Sequence, residues 1–357
     1  MPTPFKHAIL PISIVAALFI GGCNSENSDD AAAAVPKAQS YYKVRDIQPS
    51  SDGSRIFIAS KEGFSIGRMN QGRFIVDKTY GEKNLVTPYM RFIAVDDSER
   101  YVVAGGQGGI NICLLNSDDT LDATSSYFEG NNTTTAVLAG DLLIASTYHY
   151  GLKVGSINAD TGTMNSVVGL DTASSPALPQ NVVTALALGP SGEYVFIGMQ
   201  REGVAVAHIN AAEKRIDTVA PVPLQESGIR FVSDIAVHSS GISAIVGKNG
   251  IAIARISGGD LQLLKHHTYP LLPFRQFTEV VISHDGKMIA AGTGGKGILL
   301  AALASDGSLS NLRILSTATT ETLASDRIFS LAFSNDDSHL LVGSDSSEND
   351  NIVVIEL

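Results

Sequence analysis

The chain has 357 residues, a formal net charge of −11, 6% aromatic residues and no tryptophan. An acidic surface has no electrostatic pull on a phosphate backbone, so bulk charge argues against nonspecific nucleic-acid binding. Two cysteines exclude a disulfide framework, and 34 glycines among many β-branched residues suit short strands joined by tight turns.

The N-terminal segment carries Lys6, an apolar stretch from Ala8 to Ile20, and then Gly21-Gly22-Cys23. The stretch is shorter than the roughly 20 residues of a membrane span, and small residues ahead of a cysteine suit signal-peptidase cleavage. Residues 1–22 resemble a bacterial lipoprotein signal peptide, which implies that Cys23 becomes the lipidated first residue. Asn24, where an aspartate would favour inner-membrane retention, points to the outer membrane, facing the periplasm or the cell surface. Residues 23–37, polar and then Ala31-Ala32-Ala33-Ala34, are too poor in apolar variety to fold alone and read as a tether. Membrane attachment is expected through Cys23 only, and Cys113, in the apolar run Ile110-Asn111-Ile112-Cys113, is expected to be a small core residue.

From residue 38 to residue 357 one phrase recurs seven times: a short apolar run, a Ser/Asp/Gly turn, a second apolar run, then Gly and a third apolar run. Its first copy is Val44-Arg45-Asp46-Ile47, Asp52-Gly53, Ile56-Phe57-Ile58-Ala59-Ser60 and Gly63-Phe64-Ser65-Ile66. The marker residues Gly63, Gly109, Gly151, Gly203, Gly250, Gly297 and Asn351 lie roughly 42 to 54 residues apart, the period of a four-stranded propeller blade. Less regular fourth runs follow, such as Gly72–Val76 and Leu261–Leu264, while the seventh copy has only three runs. The extended segment Ala38 to Tyr42 is expected to complete it and fasten the ring. Residues 38–357 therefore read as one all-β domain, a seven-bladed propeller with its last blade closed by an N-terminal strand.

On these turns and glycines, as in Ser51-Asp52-Gly53 and Gly250-Ile251-Ala252-Ile253, the chain resembles the seven-bladed propellers of the lactonase-like and YVTN type. More loosely it resembles WD40 proteins, though without their Trp-Asp and Gly-His signatures. The resemblance covers nearly the whole of residues 38–357 and implies a fold rather than an activity.

In such a ring, the loops after second strands share one face with the connections between blades, and ligands meet that face at the channel mouth. Those positions hold Arg91, Arg230, Arg275 and Arg327, with Lys61, Gln107, Gln200, Arg201 and Lys248 beside them; Arg45 also falls at the start of an inner strand. The opposite face carries turn residues such as Asp52, Asp97, Asp285, Asp336 and Asp337. Gathered at one mouth, guanidinium groups attract carboxylate or phosphate. They could equally neutralise Asp46, Asp234 and Glu279, which lie at or near the position of Arg91 on other inner strands. Both arrangements are open at this point.

Asp234, Glu279 and His149 are weak candidates for general acid–base work, which would make a lactonase-like hydrolase. His266 and His267 are adjacent on a strand and point to opposite faces, so they share no metal. No Gly-x-Ser-x-Gly, His-Glu-x-x-His, phosphate loop or haem-attachment cysteine pair is present, and neither cofactor nor metal is expected. The sequence thus favours a monomeric binding module that takes an envelope protein or an acidic small molecule at its top face. A hydrolase, or a structural component of an envelope assembly, is the alternative.

Overall fold

The computed structural model describes residues 44–86, 89–148, 151–170, 182–222, 229, 231–269, 276–295, 297–320, 323, 327–344 and 352–357. The chain divides into two units, Met1–Lys37 and Ala38–Leu357, and every described residue belongs to the second. The lipidation site Cys23, the tether and the closing segment Ala38 to Tyr42 lie outside the described residues.

The described residues form seven antiparallel sheets and no helix. Blade 1 is β1 (Val44–Pro49), β2 (Ile56–Ser60), β3 (Gly63–Asn70) and β4 (Arg73–Tyr80). Blade 2 is β5 (Met90–Val95), β6 (Tyr101–Gly106), β7 (Gly109–Leu115) and β8 (Leu121–Tyr127). Blade 3 is β9 (Thr133–Ala139), β10 (Leu142–Thr147), β11 (Gly151–Asn158) and β12 (Thr163–Leu170). Blade 4 is β13 (Val183–Leu188), β14 (Tyr194–Met199), β15 (Gly203–Asn210) and β16 (Arg215–Val222). Blade 5 is β17 (Val232–Val237), β18 (Ile242–Gly247), β19 (Gly250–Ser257) and β20 (Asp260–His267). Blade 6 is β21 (Phe277–Ile282), β22 (Met288–Thr293), β23 (Ile298–Leu303) and β24 (Leu309–Leu315). Blade 7 has three described strands, β25 (Ile328–Phe333), β26 (His339–Ser344) and β27 (Ile352–Glu356).

Each blade is a simple meander because its turns are short and its second and third strands are apolar on both sides. β2, β6, β10 and β18 are buried along their whole length, whereas β4 alternates between exposed and half-buried residues. Strands covered on both faces need no polar alternation, and outer strands do. Seven apolar clusters fill the spaces between neighbouring blades, one for each junction of the ring.

The marker glycines have a steric cause. Gly250 begins β19 at φ +141°, and a Cβ there would stand 2.1 Å from the carbonyl oxygen of His267 at the end of β20. Gly63 begins β3 in the same way, at φ +137° and 1.8 Å from the Tyr80 carbonyl. Only glycine lets the fourth strand close so tightly on the start of the third.

The aspartates of the opposite face are turn residues. Asp52 accepts hydrogen bonds from Ser50 Oγ at 2.7 Å and the Ser54 N–H at 2.8 Å, and Asp285 accepts from Ser283 Oγ and the Lys287 N–H. Those bonds hold both carboxyls down to about 2.

Candidate functional site

The innermost strand of every blade pairs with a neighbour on one edge only, so its other edge turns unpaired N–H and C=O groups toward the ring axis. Near the second residue of each innermost strand the ladder slips by one position. A bulge of this kind re-aims side chains. The seven residues concerned, Arg45, Arg91, Thr134, Thr184, Ser233, Thr278 and Phe329, all line one cavity of about 550 Å³ in the central channel.

Second and third residues also join the blades. Thr134 Oγ1 donates to the Val183 carbonyl at 2.7 Å, Thr184 Oγ1 to Val232 at 2.6 Å, and Thr278 Oγ1 to Ile328 at 3.1 Å. Asp46 accepts the Ile93 N–H at 2.9 Å through Oδ2 and the Ile47 N–H through Oδ1, clasping blade 1 to blade 2. Asp234 accepts the Val280 N–H at 2.9 Å and clasps blade 5 to blade 6. These side chains satisfy the inner edges that no strand covers.

Asp46, Asp234 and Glu279 sit at the third position of β1, β17 and β21, one residue beyond the position of Arg91, and all three line the cavity. Burial pushes the Asp46 carboxyl up to about 7 against the pull of its two N–H donors, and the Asp234 charge adds to the rise. Burial likewise raises Asp234 to about 6. Glu279 stands well above the ordinary glutamate value, chiefly through burial and then through the charges of Asp234 and Asp46. No cation compensates them: among the described residues none of the three forms an ion pair. The mutual pairing left open by the sequence is therefore not found among the described residues.

Four of the cations lie against aromatic rings. Arg45 and Arg327 approach the Phe329 ring at 4.0 and 5.0 Å from its centroid, Lys61 lies 5.6 Å from the Tyr89 ring, and Lys248 lies 5.5 Å from the Phe231 ring. A ring face attracts a cation without neutralising its charge. Lys61, Arg91, Arg201 and Lys248 form no ion pair among the described residues.

Of the sequence candidates, Arg91, Lys61, Gln107, Asp234 and Glu279 come together in the cavity wall. Gln200, Arg201, Lys248 and Arg327 are exposed on loops at the same end of the strands and do not line it. Arg230, Arg275 and His149 lie outside the described residues. Sequence reasoning passed over the threonines and Ser233 of the ring, Phe329 and Tyr89; the signal was there, since six of the seven ring residues follow the first apolar residue of their repeat and Thr134 follows Thr133 at the same place. Tyr89, 43% exposed, adds an apolar lip beside Lys61. A second cavity of about 620 Å³ adjoins the channel across Lys61 and Tyr89 and is lined also by Glu62, Glu82, Lys83 and Asn84. No group of three or more His, Cys, Asp or Glu side chains among the described residues is placed to hold a metal ion.

Residues 317–353, which hold β25, β26 and the start of β27, match the WD domain, G-beta repeat family. No curated protein matches the chain. Among solved structures, the chain is similar to the Cps50 (Swd1) β-propeller domain of Myceliophteria thermophila, at 13% identity and a TM-score of 0.65, over 88% of this chain and 96% of that one. At such identity the likeness speaks to the fold: a WD40-like seven-bladed β-propeller.

Proposed function

We propose that this propeller is a lipid-anchored protein of the bacterial envelope that works by binding, and that its top face takes an anionic group carried by an acidic protein segment or an acidic small molecule. One observation carries the reading: the cations around the channel mouth, Lys61, Arg91 and Lys248, have no carboxylate partner among the described residues, and two of them lie against exposed aromatic rings. Charge left uncompensated beside apolar surface suits an incoming carboxylate with an apolar neighbour. The WD40 repeat match in blade 7 supports a protein as the partner, including a role within an envelope assembly. Arg91→Gln is expected to weaken a glutamate-rich peptide by about 1.5–3 kcal/mol, the range of a charge-assisted hydrogen bond, with little loss of stability. Fluorescence anisotropy of the labelled peptide checks it, and equal affinity for parent and variant rejects the anionic site.

For the anchor, Cys23→Ser is expected to leave a folded propeller and move it from the membrane fraction to the soluble periplasm, because the rest of the tether is polar. Detergent-dependent fractionation that persists in the variant removes the lipid from the proposal.

One feature favours a second reading as a hydrolase of lactones. Glu279 has a raised pKa, accepts no hydrogen bond among the described residues and shares a cavity with Arg91. A base and an oxyanion partner could be drawn from that pair. Asp46 and Asp234 suit the task less, since backbone N–H groups already occupy them. Hydrolysis of a lactone panel by the parent that is lost in Glu279→Gln establishes this reading; no turnover by the parent dismisses it.

A further inference from the structure

The channel cavity holds two opposed sets of charges, and among the described residues neither Lys61 nor Arg91 pairs with a carboxyl. On β1 are Arg45 and Asp46, on β5 Arg91, on β17 Asp234, on β21 Glu279, and above them Lys61 on the β2–β3 loop. The walls from β9 and β13 present the hydroxyls of Thr134, Thr135 and Thr184, and β25 presents the Phe329 ring, so those strands add no acid or base to the cavity wall. Tyr89 stands at the mouth beside Lys61. Lys61 and Arg91 thus face three carboxyls across about 550 Å³ of polar space, with Arg45 beside them over the Phe329 ring.

We infer that the central channel is a protonation-gated anion site, in which ionised Asp46, Asp234 and Glu279 keep anions out and the same carboxyls, once protonated, admit them. The inference rests on the anionic reading of the top face given above and assigns it a control. With all three carboxyls ionised, an arriving anion meets negative charge beside the cations that would hold it. With all three protonated the cavity wall carries positive charge alone and its acids become hydrogen-bond donors, which an anion accepts. The clasps survive the change, because a protonated carboxyl keeps an acceptor oxygen for the Ile93 or Val280 N–H. The gate therefore opens without dismantling the ring. Asp46 titrates at about 7 and Asp234 at about 6, which sets the change between mildly acidic and neutral pH, while burial and the charges of those two carboxyls raise Glu279. An acidic segment is captured at the lower pH and released at the higher.

Sulfate tests this on the full chain, since its charge is fixed from about pH 5 to pH 8 and any pH dependence belongs to the protein. Isothermal titration is expected to show sulfate binding at least about tenfold tighter at pH 5.5 than at pH 8, the scale of effect when several charges face one ligand in a low-dielectric cleft. Asp234→Asn, which keeps an oxygen for the Val280 N–H, is expected to tighten binding at pH 8 and shrink that ratio while leaving pH 5.5 nearly unchanged. Asp46→Asn, which keeps an oxygen for the Ile93 N–H, should act in the same sense and serves if the first variant folds poorly. Arg91→Gln should weaken binding at pH 5.5. An unchanged ratio in both carboxyl variants, or tighter binding at pH 8 in the parent, overturns the gate. Binding that is independent of pH yet lost in Arg91→Gln overturns the gate and keeps the anionic mouth. Absence of sulfate binding at pH 5.5 removes the mouth and the gate together.

Discussion

Glu279 and its two companions make stability depend on pH in an unusual direction. In the unfolded chain such carboxyls titrate near about 4, and in the fold they titrate higher, Asp46 at about 7 and Asp234 at about 6. Between those limits the native state holds protons that the unfolded state has lost. Stability is therefore greatest at the acid end and falls as pH rises through the native values. Each tenfold gain in proton affinity on folding is worth about 1.4 kcal/mol; discounted for channel water, the loss from pH 5 to pH 8 is expected to be about 2 kcal/mol or more. Urea melts of the parent and of Glu279→Gln at both pH values check it: the variant should lose less. Asp52 and Asp285, held near 2, have ionised below this window and do not counter the trend. The slope from His266, whose imidazolium burial disfavours, is opposite and cancels between parent and variant. A melt that gains stability toward pH 8 in both proteins contradicts the account. The identity of these residues was legible in the sequence as inner-strand acids, but the lack of cationic partners among the described residues was not. Whether Arg91 meets Asp46 or faces away depends on the bulge, and a bulge leaves no mark in composition.

At the scale of the strand, two features hold the blades to their shape. Gly250→Ala must put a Cβ within 2.1 Å of the His267 carbonyl at a backbone angle that side chains avoid, so β20 has to move away from β19. A loss of roughly 2–4 kcal/mol is expected from strain and broken pairing, against about 1 kcal/mol for Gly258→Ala, where a Cβ meets nothing within 4 Å. Thermal unfolding of the pair checks the contrast. Thr184 is the second feature, its hydroxyl donating to Gly198 and Val232 carbonyls across the junction of blades 4 and 5. Thr184→Val keeps the shape and removes the donor, with an expected cost of about 1–2 kcal/mol that Thr184→Ser should largely recover. The strands themselves were readable from recurring, near-continuous apolar runs and marker glycines. Fourth strands were read too short, as Leu261–Leu264 against the observed Asp260–His267, because half-exposed outer strands carry polar residues that hide their ends.

For the ring as a whole, the seven repeats in the sequence correspond to seven blades, since each repeat is one sheet that must bury both faces against its neighbours. What no repeat could foretell is that the junctions are unequal. Among the described residues, the space between blades 7 and 1 is filled by six buried apolar residues, Val44, Ile47, Ile56, Ile58, Ala332 and Leu341, where the other junctions hold ten to thirteen. Among the described residues, no hydroxyl or carboxylate clasp of the kind made by Thr184 or Asp234 crosses it; the stacking of Arg45 on Phe329 and the hydrogen bond that Asn335 Nδ2 donates to the Ser51 carbonyl at 3.3 Å do. Ser330 and Ser344, on the blade 7 side, have buried hydroxyl oxygens without a partner among the described residues. If Ala38 to Tyr42 supplies a fourth strand to β25–β27, its removal should lower the melting temperature markedly, whereas removal of Ser25 to Ala33 should not, a comparison that calorimetry of the two deletions decides. The uneven junctions also give the molecule a place to breathe. A ring with one thin joint opens there first, by local fluctuation, long before it unfolds. Amide protons of β1 and β25 should accordingly trade with deuterated solvent ahead of those in β13 and β17, so that the closed circle behaves in time as a clasped bracelet whose fastening flickers.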